Sequence, residues 1–134
     1  MLSINVLWKD PDLMSCRVQA SGERFTAATN LYLTSDCLQK LADAISGFPK
    51  SAQDQREWGT QNYNSFRLSL QCVDSSGHGT AVIELADHQD TQQSAMIRFP
   101  VTAAGIDNFE KALRVMSATE EGSAVLGSDA KVSV

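Results

Sequence analysis

Two histidines and three cysteines are the side chains of this 134-residue chain best suited to chemistry near neutral pH. Cys72, Asp74 and His78 fall within seven residues of one another. A thiol, a carboxylate and an imidazole so placed would supply nucleophile, orienting acid and base if all three faced one site. The local pattern speaks against that. Cys72 ends the alternating series Phe66, Leu68, Leu70, Cys72, which points it inward. No nucleophile elbow or oxyanion motif accompanies it. A second cluster, Asp87-His88-Gln89-Asp90, joins with His78 as a set of carboxylates and imidazoles of the kind divalent ions accept. It lies in a polar turn and lacks a second histidine at fixed spacing. A small metal-dependent hydrolase centred on His78 and His88 is therefore the alternative reading.

Gly77-His78-Gly79 lacks the strand-to-helix setting of a phosphate loop, and its glycines read as turn residues that permit positive φ. The acidic pairs Asp10/Asp12 and Glu120/Glu121 read as solvated surface. The sequence assigns no catalytic residue, no metal ligand and no cofactor, and it points to a protein that is not an enzyme.

Cys16, Cys37 and Cys72 are widely spaced and odd in number, which argues against a disulfide framework and against a zinc site. The net charge of −5 and the scatter of the eleven Lys and Arg argue against nucleic acid, whose phosphates need clustered cations. An acidic balance suits a basic protein partner, and it suits solubility equally. No run of about 18 apolar residues is available for a membrane span. The N-terminus lacks the basic-then-apolar order of a signal peptide, so a cytoplasmic location is expected.

Chain length fits one domain. Ile4 to Trp8 reads as a strand, and Met14, Cys16, Val18 and Ala20 alternate with polar residues to give a second. Arg24 to Leu33 gives a third, with Phe25, Ala27, Leu31 and Leu33 as its apolar set. The period then changes: Leu38, Leu41, Ala42 and Ile45 share one helical face, with Thr34 or Ser35 as N-cap and Gly47 and Pro49 as the stop. Alternation returns in Phe66 to Cys72, Thr80 to Ala86, and Ala95 to Phe99. A last helix runs from about Ala103 to Ser117, carrying Ile106, Phe109, Leu113 and Met116 on one stripe and a Glu110/Arg114 pair.

The expected fold is α+β: a mainly antiparallel sheet of about six strands with two helices packed on it, in the order βββ-α-βββ-α. Residues 1–122 form the single domain. Residues 123–134 read as a flexible tail or, at Lys131 to Val134, an edge strand.

The stretch Lys50 to Ser65 is polar and reads as a loop or irregular strand. It carries Trp58 and Tyr63. Aromatic residues dominate binding hot spots, which makes these two the candidate partner contacts. The plainer reading is that Trp58 pins the segment to the sheet.

Several segments together resemble a widespread group of bacterial proteins: Leu38 to Pro49, Phe66 to Asp74, Gly77-His78-Gly79, Ile83-Glu84-Leu85, and Ala103 to Phe109 with Leu113. The layout is similar to that of immunity proteins of the wall-associated (WapI-type) polymorphic-toxin systems. The resemblance implies a non-enzymatic protein that binds and blocks a toxin domain. It transfers no toxin-binding residue, because the shared positions are core and turn residues. A homo-oligomer built through an open sheet edge is a further alternative.

Overall fold

The computed structural model describes residues 1–62, 64–88 and 92–127. The elements run β1 (Leu2–Lys9), β2 (Met14–Ser21), β3 (Thr26–Leu33), α1 (Ser35–Ile45), β4 (Gln55–Asn62), β5 (Asn64–Cys72), β6 (His78–Asp87), β7 (Ser94–Thr102), α2 (Ala103–Thr119) and β8 (Ser123–Leu126). The class is α+β as expected, with eight strands in two antiparallel four-stranded sheets. Sheet A has the order β3-β2-β1-β8 and sheet B the order β4-β5-β6-β7.

Two additions explain the difference from about six strands in one sheet. The polar stretch expected as a loop or irregular strand contains β4, which pairs along its length with β5. The segment expected as tail begins with β8, which pairs with Leu2 to Asn5 of β1. Ala124 and Leu126 are buried in the core, so the domain extends past residue 122. Two apolar contacts and a backbone ladder order this short strand although its residues are small. The Lys131 to Val134 strand falls outside the described residues.

Each element forms for reasons visible in its residues. Thr34 caps α1 by accepting the Cys37 N–H at 3.1 Å, and Gly47 takes the left-handed conformation just past the helix (φ +72°). Arg56 on β4 completes this helix end. Its guanidinium donates to the Ala44 and Ser46 carbonyls at 3.0 and 2.9 Å and grips Asp54 through two bonds of 2.8 Å. Carbonyls that the helix leaves without partners are thereby satisfied. Thr102 caps α2 in the same way, accepting from Gly105 N–H at 3.0 Å. The expected Glu110/Arg114 pair forms at 2.8 Å, and Arg114 also reaches Asp43 of α1 at 3.0 Å.

Inward residues of both sheets and the apolar stripes of both helices meet in one core that includes Phe66 and Phe109. α2 packs on α1 and β8, and β3 lies against all four strands of sheet B. Asn64, the buried polar residue of β5, ties that junction. Its amide donates to Thr29 Oγ1 at 2.9 Å and to the Asn30 carbonyl at 3.0 Å. Phe25 departs from the expectation. It precedes β3 in the turn and is 76% exposed.

Candidate functional site

The cysteine–aspartate–histidine group at the β5–β6 hairpin does come together, in a structural arrangement. Asp74 accepts the backbone N–H of Ser76 at 2.8 Å and lies 3.0 Å from His78 Nδ1. Those bonds, led by the Ser76 N–H, hold its carboxyl below the usual carboxylate range. Cys72 is buried, and its thiol donates to the Asp74 carbonyl at 2.9 Å instead of facing the imidazole. The glycines here act differently from each other. Gly77 supplies positive φ (+87°), whereas a Cβ at Gly79 would meet the Gln71 carbonyl at 2.8 Å and the Phe48 ring at 3.1 Å.

His78 opens β6 and His88 follows its last residue. About ten residues of strand at roughly 3.3 Å each place the two imidazoles on the order of 30 Å apart. One centre cannot use both. His88 Nε2 sits 3.1 Å from Ser65 Oγ on the outer side of sheet B. Among the described residues no group of three His, Cys, Asp or Glu could hold a metal ion; Asp90 lies outside them. Cys16 is buried, and burial pushes its thiol up to about 11, which leaves it unreactive.

Trp58 lies on the inner side of β4, half-buried against the core, with its ring edge-on to Phe66 at 5.8 Å. The plainer expectation for this residue, that it pins β4 to the sheet, describes its geometry. Tyr63 lies outside the described residues.

The exposed aromatic surface is elsewhere, on the outer face of sheet A. Leu2 and Ile4 of β1 point inward and Val6 packs partly against the core, so alternation would send Trp8 inward as well. A β-bulge intervenes: Val6 pairs with Cys16, yet Trp8 pairs with Ser15. Leu7 is the extra residue, and it turns Trp8 to the outside. Ser15 stands between Trp8 on β1 and Tyr32 on β3 in one cross-strand row. Its side chain is small enough for the two rings to meet edge to face at 6.4 Å, and it is itself buried. Leu7 and Trp8 remain 51% and 50% exposed, and Tyr32 38%. Arg17 and Asn30 form the next row, joined at 3.3 Å.

Asp10 and Asp12 form the β1–β2 turn directly after Trp8-Lys9, with Asp10 Oδ1 accepting the Asp12 and Leu13 N–H groups. The link from α2 to β8 meets the β1 edge. At its two ends Lys9 Nζ reaches the Thr119 carbonyl at 3.4 Å and Val6 N–H the Gly122 carbonyl at 3.0 Å. Glu120 and Glu121 lie between those ends. Sequence reasoning passed over Trp8 because it read Ile4 to Trp8 as one regular strand. The three consecutive apolar residues Val6-Leu7-Trp8 were the available signal, since a regular half-buried strand would not carry them.

The outer face of sheet B is a contrasting surface, polar and shallowly concave. Arg67 pairs there with Glu57 at 2.9 Å and approaches Glu84 at 3.7 Å. A concavity of about 560 Å³ there is lined by Glu57, Thr60, Ser65, Arg67 and His88 and also by the candidate contact Trp58. It gathers no buried charged group and no aligned donor set of the kind catalysis requires.

No family model and no curated protein matches the chain. Among solved structures it is similar to WHY1 from Arabidopsis thaliana, at 10% identity and a TM-score of 0.47, over 90% of this chain and 69% of that one. Among the described residues no helix is long and apolar enough to cross a membrane.

Proposed function

We propose that the protein is a non-enzymatic binding domain that engages another protein through the outer face of sheet A, in the manner of an immunity protein that covers a toxin domain. The observation that supports this is the bulge-exposed patch of Trp8, Leu7 and Tyr32. Exposed apolar side chains that cluster, and do not occur singly, mark interaction surfaces. Trp, Tyr and Arg are the residues that most often carry binding energy, and Trp8, Tyr32 and Arg17 occupy neighbouring rows of one rigid sheet. The immunity reading adds the resemblance in segment order described from the sequence. Three free cysteines fit a reducing cytosol.

The test is co-expression with a toxin domain of the wall-associated type. The wild type is expected to bind it and restore growth. Trp8→Ala/Tyr32→Ala is expected to weaken binding by roughly a hundredfold, the loss of two hot-spot side chains, with an unchanged circular dichroism spectrum. Full protection and affinity in the double variant would overturn the reading.

A further inference from the structure

We infer that the free edge of β4 pairs with β4 of a second copy of this chain, antiparallel and centred on Trp58. The phase of the hydrogen bonds shows what that edge offers. In the register of β4 and β5, Cys72 N–H donates to the Asp54 carbonyl at 3.0 Å. Arg56, Trp58 and Thr60 therefore bond to β5, while Gln55, Glu57, Gly59 and Gln61 turn their N–H and C=O groups to the open side. Gly59 is exposed, and the exposed surface of a glycine is main chain. Among the described residues no hydrogen bond is made to those outward groups. The other sheet edges are blunted. By the same phase, set by Asp87 N–H on the Gln93 carbonyl, β7 turns Pro100 to its edge, and the β2–β3 turn at Gly22 lies against the Arg98 carbonyl. β3 gives its Asn30 carbonyl to Asn64, and β8 has only four residues. β4 has eight, with no proline, lysine or bulge to stop a further strand from pairing.

Charge and shape at this edge select a second copy. A Cβ at Gly59 would stand 2.8 Å from Arg67 Cγ, so the Arg67 side chain lies over Gly59, where its guanidinium meets Glu57 at 2.9 Å. Laying two β4 strands antiparallel about Trp58 brings Glu57 of each copy opposite Gly59 of the other, and so beside the guanidinium that covers that glycine. Two Arg67–Glu57 contacts form, related by the twofold axis, and the outward groups of Gln55 meet those of Gln61. Trp58 meets its own copy at a close, non-hydrogen-bonded position, joining the part of its surface that lines the concavity at this edge. The neighbouring registers lack this match: one sets Glu57 against itself, and the other sets it against the uncharged Gln61. The net charge of −5 does not oppose the contact locally, because Arg67 offsets Glu57 and Arg56 offsets Asp54. Such a self-complementary contact closes at two copies. It uses the edge of sheet B and is separate from the partner face proposed on sheet A.

Sedimentation equilibrium of the full chain reads this contact. The wild type is expected to show a concentration-dependent equilibrium between monomer and dimer. Gln61→Pro removes an edge N–H that β5 does not use, as Pro100 does in β7, and is expected to weaken the dimer about tenfold or more with an unchanged circular dichroism spectrum. Glu57→Lys and Arg67→Glu should each weaken it about tenfold, since each sets like charges together at both contacts. Mixed in equal amounts, those two variants should recover the affinity of the wild type, because both contacts across the axis then join opposite charges. A wild type that stays monomeric at millimolar concentration would overturn the inference. So would a dimer that Gln61→Pro leaves intact, or a mixture that associates no more tightly than its components. A dimer lost with Trp8→Ala and kept with Gln61→Pro would move the contact to sheet A and overturn it as well.

Discussion

The two tryptophans of this chain stand in opposite situations. Trp58 lies on the inner side of a regular strand, packs on Phe66, and sits in a segment held at its start by Arg56 and Asp54. Trp8 occupies a position whose parity belongs to the core, and a single extra residue, Leu7, turns it out to solvent. Trp58 does structural work within a polar stretch, whereas Trp8 is displayed by a strand that could have buried it. The difference teaches that the composition around an aromatic residue is a poor guide to its exposure. Register decides it, because a strand reverses every side chain when one residue is inserted.

Three variants sharpen that contrast. Inserting an alanine between Ser15 and Cys16 gives Leu7 a partner, removes the bulge and drives the Trp8 indole toward an already filled core beside Cys16. Overpacking of this size should cost about 3 kcal/mol or more, read from urea unfolding. An insertion that leaves stability unchanged would mean that the bulge does not set the direction of Trp8. Alanine at the two tryptophans should separate next. Trp58→Ala should cost about 2 kcal/mol, a partly buried version of an aromatic truncation, and Trp8→Ala about 1 kcal/mol or less, the scale of its edge contact with Tyr32. Equal losses would erase the distinction between the regions.

The smallest effect concerns the anchor beneath β4. Two hydrogen bonds from Arg56 lead the forces that hold the Asp54 carboxyl below the usual range. A carboxyl whose folded value is depressed contributes stability that is complete above its unfolded value, about 3.9. It is lost as the pH falls through the lower folded value. Stability of the wild type should therefore decline more steeply below about pH 4 than that of Asp54→Asn, measured by thermal unfolding across an acid series. Parallel declines would show that this pair does not anchor β4.

Much of the fold was legible in the residues. Leu38, Leu41, Ala42 and Ile45 with Thr34 and Gly47 specify α1 almost to its ends, because helical period and capping are local properties. The alternation of Phe66 to Cys72 and of Ala81 to Leu85 specifies two strands and their buried faces for the same reason. β4 was not legible as a regular strand. Its sequence Gln-Arg-Glu-Trp-Gly-Thr-Gln-Asn carries little apolar alternation, and it is ordered by pairing with β5 and by the grip of Arg56 on α1. β8 is similar, a four-residue strand that exists because β1 offers it an edge.

By itself the sequence determined the α+β class, the order of the elements, the two helices and the inward sets of the strongly alternating strands, since these depend on periods of two and 3.6 within short windows. Only the tertiary structure decided how the strands divide into two sheets, that His78 and His88 lie at opposite ends of β6, and that Trp8 rather than Trp58 is displayed to solvent. Each of those depends on pairing partners and register between segments far apart in the chain, and local period carries no record of them.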